Sequence, residues 1–139
     1  MSDGALDKLR EAVQEELRLA GFSEKALLHA TRPANHGELP GHNAFGISFG
    51  ENGETMAIWL KVEDEVIGGA SFTCDGDDAF TACGSMITEM VKGKTVKEAG
   101  ELSTADLLSA LESQPGVIVA AAELAIEVLG NALSDALGV

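Results

Sequence analysis

Three aspartates and a cysteine crowd one short stretch of this chain, Cys74-Asp75-Gly76-Asp77-Asp78. The residues before it alternate in polarity and those after it follow a helical period, so strand gives way to helix there. Such a junction gathers loop atoms, free backbone N–H groups and side chains in one place. Carboxylates at a helix start cap free N–H groups and complement the helix dipole, and that is the first reading of Asp75, Asp77 and Asp78. The helix N–H groups would lower a nearby thiol's pKa and make Cys74 a sulfur acceptor, but its three acidic neighbours raise it. Packing is therefore the expected role of Cys74. Cys83 lies six residues past Asp77, on a different helix face and on an apolar stripe with Phe80 and Ile87, which assigns it to the core. His36 and His42 share a Gly/Pro-containing loop and could meet at a metal, although no thiol or carboxylate stands at ligand spacing. Asn52-Gly53 is a turn dipeptide with no need of a ligand.

Composition bounds these chemistries. The 139 residues suffice for one domain, and the net charge is −14. That excess of acid argues against nucleic acid or an anionic membrane surface as partner. No apolar run approaches the roughly 20 residues that span a bilayer, and the charged N-terminal stretch has no signal core. A cytoplasmic protein is expected. Two cysteines make no disulfide framework. With no Gly-x-Gly-x-x-Gly, P-loop or Ser-His-Asp order, nothing in the chain supports a nucleotide-binding or hydrolytic enzyme.

The elements that must position these residues follow from periodicity. Leu6, Leu9, Val13, Leu17 and Leu19 predict an amphipathic helix over Gly4–Ala20, and Ser23 caps a second over Glu24–Ala30. Alternation predicts strands over Phe45–Phe49, Thr55–Val62 and Val66–Cys74, joined by a tight turn at Asn52-Gly53 and by Glu63-Asp64-Glu65. A helix follows Asp77-Asp78. Capping boxes at Thr95–Glu98 and Ser103–Asp106 predict two short helices, and Val117–Leu137 reads as a long, Ala-rich, mostly buried helix. The fold class is α+β, a three-stranded antiparallel sheet packed with several helices.

Two segments carry a resemblance. FSEKALLHATRPANHGEL resembles the opening of the IscU/NifU-type scaffold family for iron–sulfur cluster assembly, and MITEMVKGKTVKEA resembles its signature helix and turn. The similarity runs from Phe22 to about Leu133. It implies one SufE/NifU-like domain, with residues 1–21 an extra N-terminal helix and 22–137 the family-like region. It also implies where the family's cluster ligands would fall. Asn52 stands at the first cysteine, Glu54 at the aspartate, Asp77 at the second cysteine, Ala120 at the histidine and Ala121 at the third cysteine. The chaperone-recognition segment, Leu-Pro-Pro-Val-Lys in the family, matches Gln114-Pro115-Gly116-Val117-Ile118.

Iron–sulfur clusters need soft thiolate ligands, so the expectation is a retained fold with a dismantled site and no resident cofactor. By resemblance a cluster, iron or zinc would be the group bound, and a cysteine desulfurase would be among the partners. Glu54, Cys74 and Asp77 are the candidate ligands for a weak divalent ion across the former site. The expected function is that of an IscU/NifU-like assembly protein, not an enzyme. The alternatives are an interaction or regulatory module that docks a desulfurase or another partner, a weak metal binder, and a SufE-like sulfur acceptor. A pocket with one apolar and one acidic wall is expected between Ala120–Ala122 and the Asp77 helix start.

Overall fold

The computed structural model describes residues 3–113 and 116–139. Its sheet is the predicted antiparallel meander: β1 (Ala44–Phe49), β2 (Thr55–Glu63) and β3 (Val66–Asp75), in that order. Register pairs Gly46 with Ile58 and Ile58 with Phe72, so these share one face, and Met56, Leu60 and Ala70 join them in the core. Helices α3 (Asp78–Val91) and α6 (Val119–Leu137) cover that face. Both come in close because a glycine stands at each crossing. A Cβ on Gly46 would lie 2.4 Å from the Ala132 nitrogen of α6, and one on Gly84 of α3 would lie 2.3 Å from the Phe72 ring. Outside α3 lies α2 (Glu24–Thr31), and outside that α1 (Asp3–Leu19). The short helices α4 (Val96–Gly100) and α5 (Thr104–Ala110) begin at the two expected capping boxes, each complete in both directions.

The edge of β1 is closed by α6. The Asp135 carboxylate accepts the Phe45 N–H at 2.9 Å and the Asn131 amide donates to the Ile47 carbonyl at 3.1 Å. Unpaired strand groups that would recruit another strand are thereby engaged. Where β1 begins, the Asn43 side chain pairs with both backbone groups of Val62, beside the register shift at Lys61/Val62.

Three expectations need correction. The Asn52-Gly53 pair is not a two-residue turn. The β1–β2 connection spans Gly50–Glu54, closed by Gly50 N–H to Glu54 O at 2.8 Å, and only Gly53 takes a positive φ. The tight turn is instead Asp64-Glu65, with φ of 51° and 67° and no glycine. The apolar stripe of α1 reaches the body only through Val13 and Leu17, which pack on Leu27, Ala30 and Ala82, while Leu6, Leu9 and Leu19 are exposed. The last helix begins at Val119 rather than Val117, since Gly116 has a φ of 123° and Ile118 offers no capping side chain. Of the segment matched to chaperone recognition, Gln114 and Pro115 lie outside the described residues. Among the described residues no helix is long and apolar enough to cross a membrane.

A polar node fixes α2 and the following loop to α3. The buried Ser85 hydroxyl accepts the Ala34 N–H at 2.8 Å and sits 2.7 Å from His29 Nδ1. Asn35, at a φ of 61°, donates to Thr88 and Glu89, and its backbone pairs with Phe72. Burial holds the His29 pKa below 6.5, against the pull of Glu89, with Lys25 also lowering it. The folded state therefore binds that proton more weakly than the unfolded chain. The contribution is fully present above the unfolded value of about 6.5 and is lost as pH falls through the lowered folded value. The thermal midpoint is expected to drop between about pH 7.5 and about pH 5, and the drop should shrink in His29→Gln. Identical slopes in the two proteins would assign the effect elsewhere.

Candidate functional site

The loop Gly50–Glu54, the first turn of α3 and the first turns of α6 surround a cleft of about 360 Å³. Its apolar floor is Phe80, Leu124 and Ala120, with Phe49 at one edge. Its other wall is acidic: Glu51 and Glu54 from the loop, Glu123 and Glu127 from α6. Ala120, Glu123, Leu124 and Glu127 are spaced to lie along one helix face, which explains how α6 supplies both floor and wall.

Asn52, Glu54 and Ala120 all line this cleft, so the structure brings three of the five expected site positions to one place. Glu54 is not free to reach outward, because one of its carboxylate oxygens accepts the Asn52 N–H at 3.0 Å. Ala121 and Ala122 turn inward and are buried in the core. Asp77 stands at the start of α3, outside the cleft lining, and caps it: its carboxylate accepts the Ala79 N–H at 3.0 Å. The capping expectation holds for Asp77. Exposed Asp78 follows it, its pKa raised by burial and by Asp77 and Glu16.

The predicted pocket thus exists with a different acidic wall. Asp77 does not line it. The ring of Phe80, one helical turn past Asp77 and 6% exposed, occupies the floor. Glu123 and Glu127 are the residues that reading the sequence missed. Their spacing with Ala120 and Leu124 was the available signal.

The thiols stand apart from the cleft. Cys74 is half-buried, 3.5 Å from the Thr81 hydroxyl, and its pKa is raised by burial and by Asp75 and Asp77. Cys83 is fully buried in the core, which pushes its pKa up to about 12. Neither is an activated nucleophile. Among the described residues no three His, Cys, Asp or Glu side chains come together in a way that could hold a metal ion, so Glu54, Cys74 and Asp77 are not gathered as a ligand set. The histidine pair also separates: His36 packs edge-on against Phe72, whereas His42 hydrogen-bonds the Leu39 carbonyl and faces Trp59.

Known proteins place this architecture. The family model for the NifU-like N-terminal domain matches residues 21–138, leaving α1 outside it. Iron-sulfur cluster assembly scaffold protein IscU 1 of Archaeoglobus fulgidus is 33% identical over 117 residues, covering 82% of this chain and 75% of its own. The protein named IscU in Escherichia coli K12, also an iron-sulfur cluster assembly scaffold, is 32% identical over 120 residues, covering 82% of this chain and 92% of its own. The crystal structure of a nitrogen-fixing NifU-like protein (N-terminal) from Brucella abortus superposes with a TM-score of 0.55 at 18% identity, covering 84% of this chain and 83% of that one. Its likeness bears on the fold alone; the sequence matches bear on descent, and by them this chain belongs to the NifU-like N-terminal domain family.

Proposed function

We propose that this chain serves iron–sulfur cluster assembly from a scaffold fold whose cluster position has lost its thiolates. One observation carries the reading. Where the family resemblance expects thiolates and an imidazole, the cleft offers the amide of Asn52, the carboxylate of Glu54 and the methyl of Ala120 over the Phe80 ring. Asp77 caps α3, and Ala121 faces the core.

Iron and sulfide want soft, charged sulfur ligands. A phenyl ring and a methyl group supply none, and hard glutamates do not replace them. The two thiols do not compensate, since one is sealed in the core and the other turned toward Thr81 with a raised pKa. The residues present therefore do not fit a cluster as cargo. The same facts leave the sulfur-acceptor alternative without a reactive cysteine, because the loop tip is Asn52. The role supported is an ancillary one in the assembly machinery, among the protein partners that the resemblance implies, a cysteine desulfurase included.

Titration calorimetry tests the donor set. Zinc, iron(II) and magnesium are expected to bind wild type no more tightly than about 0.1 mM, with Asp77→Ala unchanged. Tight binding to wild type that Asp77→Ala abolished would overturn the reading and make Asp77 a ligand.

A further inference from the structure

Among the described residues the glutamates of the cleft have no cationic partner. Every ion pair among the described residues lies elsewhere on the chain. The carboxylates of Glu51 and Glu123 make no hydrogen bond to any described residue. Glu127 is held by the Ser48 hydroxyl at 2.9 Å, and Glu54 by the Asn52 N–H. Yet these carboxylates do not converge as ligands for a metal ion would. They stand spread around an apolar floor. A point cation gains little from such a layout, because it needs its oxygens in one shell. A long side chain with an apolar stem and a cationic head suits it, the stem lying on Phe80 and Leu124 and the head among the glutamates. The rings of Phe80 and Phe49 would add to the attraction for the cation.

The apolar surface does not end at the cleft. Phe49 is 64% exposed and has the same strand parity as Ile47 and Phe45, which are 45% and 37% exposed. The three form a row along the outward face of β1, beside the half-buried Trp59, whose ring is 5.4 Å from that of Phe45. Because α6 side chains engage the edge of β1, a partner meets this strand through side chains rather than by adding a strand. Apolar row and acidic cleft share Phe49, so one ligand can use both.

We propose that the cleft and the β1 row together form a docking surface for a protein partner, which presents a segment carrying arginine or lysine beside large apolar side chains. The cationic head enters between Glu51 and Glu123, and the apolar neighbours cover Phe49 and Ile47. The proposal rests on the reading that the cleft holds no cluster, and it names the chemistry of the partner that uses the cleft. Charge complementarity selects the partner's sign and speeds its approach, while Phe49 supplies contact that salt does not screen.

The test uses the full chain, free of metal and reduced, with a fluorescein-labelled Gly-Arg-Leu-Arg-Leu-Arg-Gly peptide followed by anisotropy. A Glu-for-Arg peptide is the control. The arginine peptide is expected to bind and the glutamate peptide not. The double substitution E51Q/E123Q should weaken binding at least about fivefold at low salt. Phe49→Ser should weaken it at least about fivefold even at about 300 mM salt, where surface charge is screened. The charge-matched pair E65Q/E101Q, in a separate groove beside α4, should change it less than about twofold. Equal losses from the two glutamine pairs would overturn the proposal, since the acidic surface would then attract the peptide generally. So would indifference to Phe49→Ser, or displacement of the peptide by zinc at micromolar concentration. A cluster assembled on the chain would defeat the reading of the emptied site, whereas peptide binding to the cluster-free chain is measured separately and can fail by itself.

Discussion

Gly46→Ala should destabilise this protein by about 2–3 kcal/mol, because it drives a methyl group into helix backbone. The added Cβ would sit 2.4 Å from the Ala132 nitrogen and 2.5 Å from the Val128 carbonyl oxygen. Neither atom can swing aside as a side-chain end would. To make room α6 must lift from β1, and that would break the bonds from Asn131 and Asp135 which close the strand edge. It would also uncover Ile58 and Met56 behind it. Gly84→Ala should be of similar size, since its Cβ would meet the fully buried Phe72 ring at 2.3 Å. Gly130→Ala is the contrast: it lies on the same helix as Ala132, with nothing within 4 Å of the new methyl. Helix propensity alone predicts a gain of about 0.5–1 kcal/mol there. Urea unfolding of the three variants reads the differences. Equal effects at Gly46 and Gly130 would mean that the tight crossing of α6 over β1 is not what the fold depends on.

Much of the architecture was legible because its signals are local. Ser23, Asp77, Thr95 with Glu98 and Ser103 with Asp106 each cap the helix they precede, since a cap needs only residues within one turn. The strands follow their alternation and pair as a meander. Turns were less legible. Asn52-Gly53 is the stronger hairpin signal, yet the tight turn is Asp64-Glu65. There, Ile67 pairs with Lys94 and Val96 donates to Glu65, so neighbouring structure holds the hairpin whatever its turn residues prefer. Periodicity gave α1 an apolar face but could not say that Leu6 and Leu9 would have nothing above them.

The site was readable only in part, for a physical reason. That Asn52, Glu54 and Ala120 share a cleft depends on α6 crossing β1, a contact between residues far apart in the sequence. No local pattern encodes it, and the family resemblance supplied it. The acidic wall was not seen because Glu123 and Glu127 look like solvent-facing positions of an Ala-rich helix until the loop Gly50–Glu54 is set against them. Phe80 was read correctly as core, but being core does not tell that it also floors the cleft.

The other large effect expected concerns cargo. Thiolates placed on residues that line the cleft, as N52C/E54C/A120C with Phe80→Ala to clear the floor, should give the chain a cluster that is not expected of wild type. The phenylalanine is removed because its ring lines the cleft together with Asn52 and Ala120. Clearing the floor alone, by Phe80→Ala in the wild-type background, should give no cluster, because space without soft ligands binds no iron–sulfide. The most direct measurement is made on wild type itself: anaerobic incubation with iron(II) and sulfide, desalting, then an absorption spectrum with iron and sulfide counted per chain. The proposed loss of the cluster ligands predicts no charge-transfer band and less than about a tenth of a cluster per chain. A near-stoichiometric cluster that survives desalting and disappears in Cys74→Ser would contradict it, and Cys74 would then be a relocated ligand.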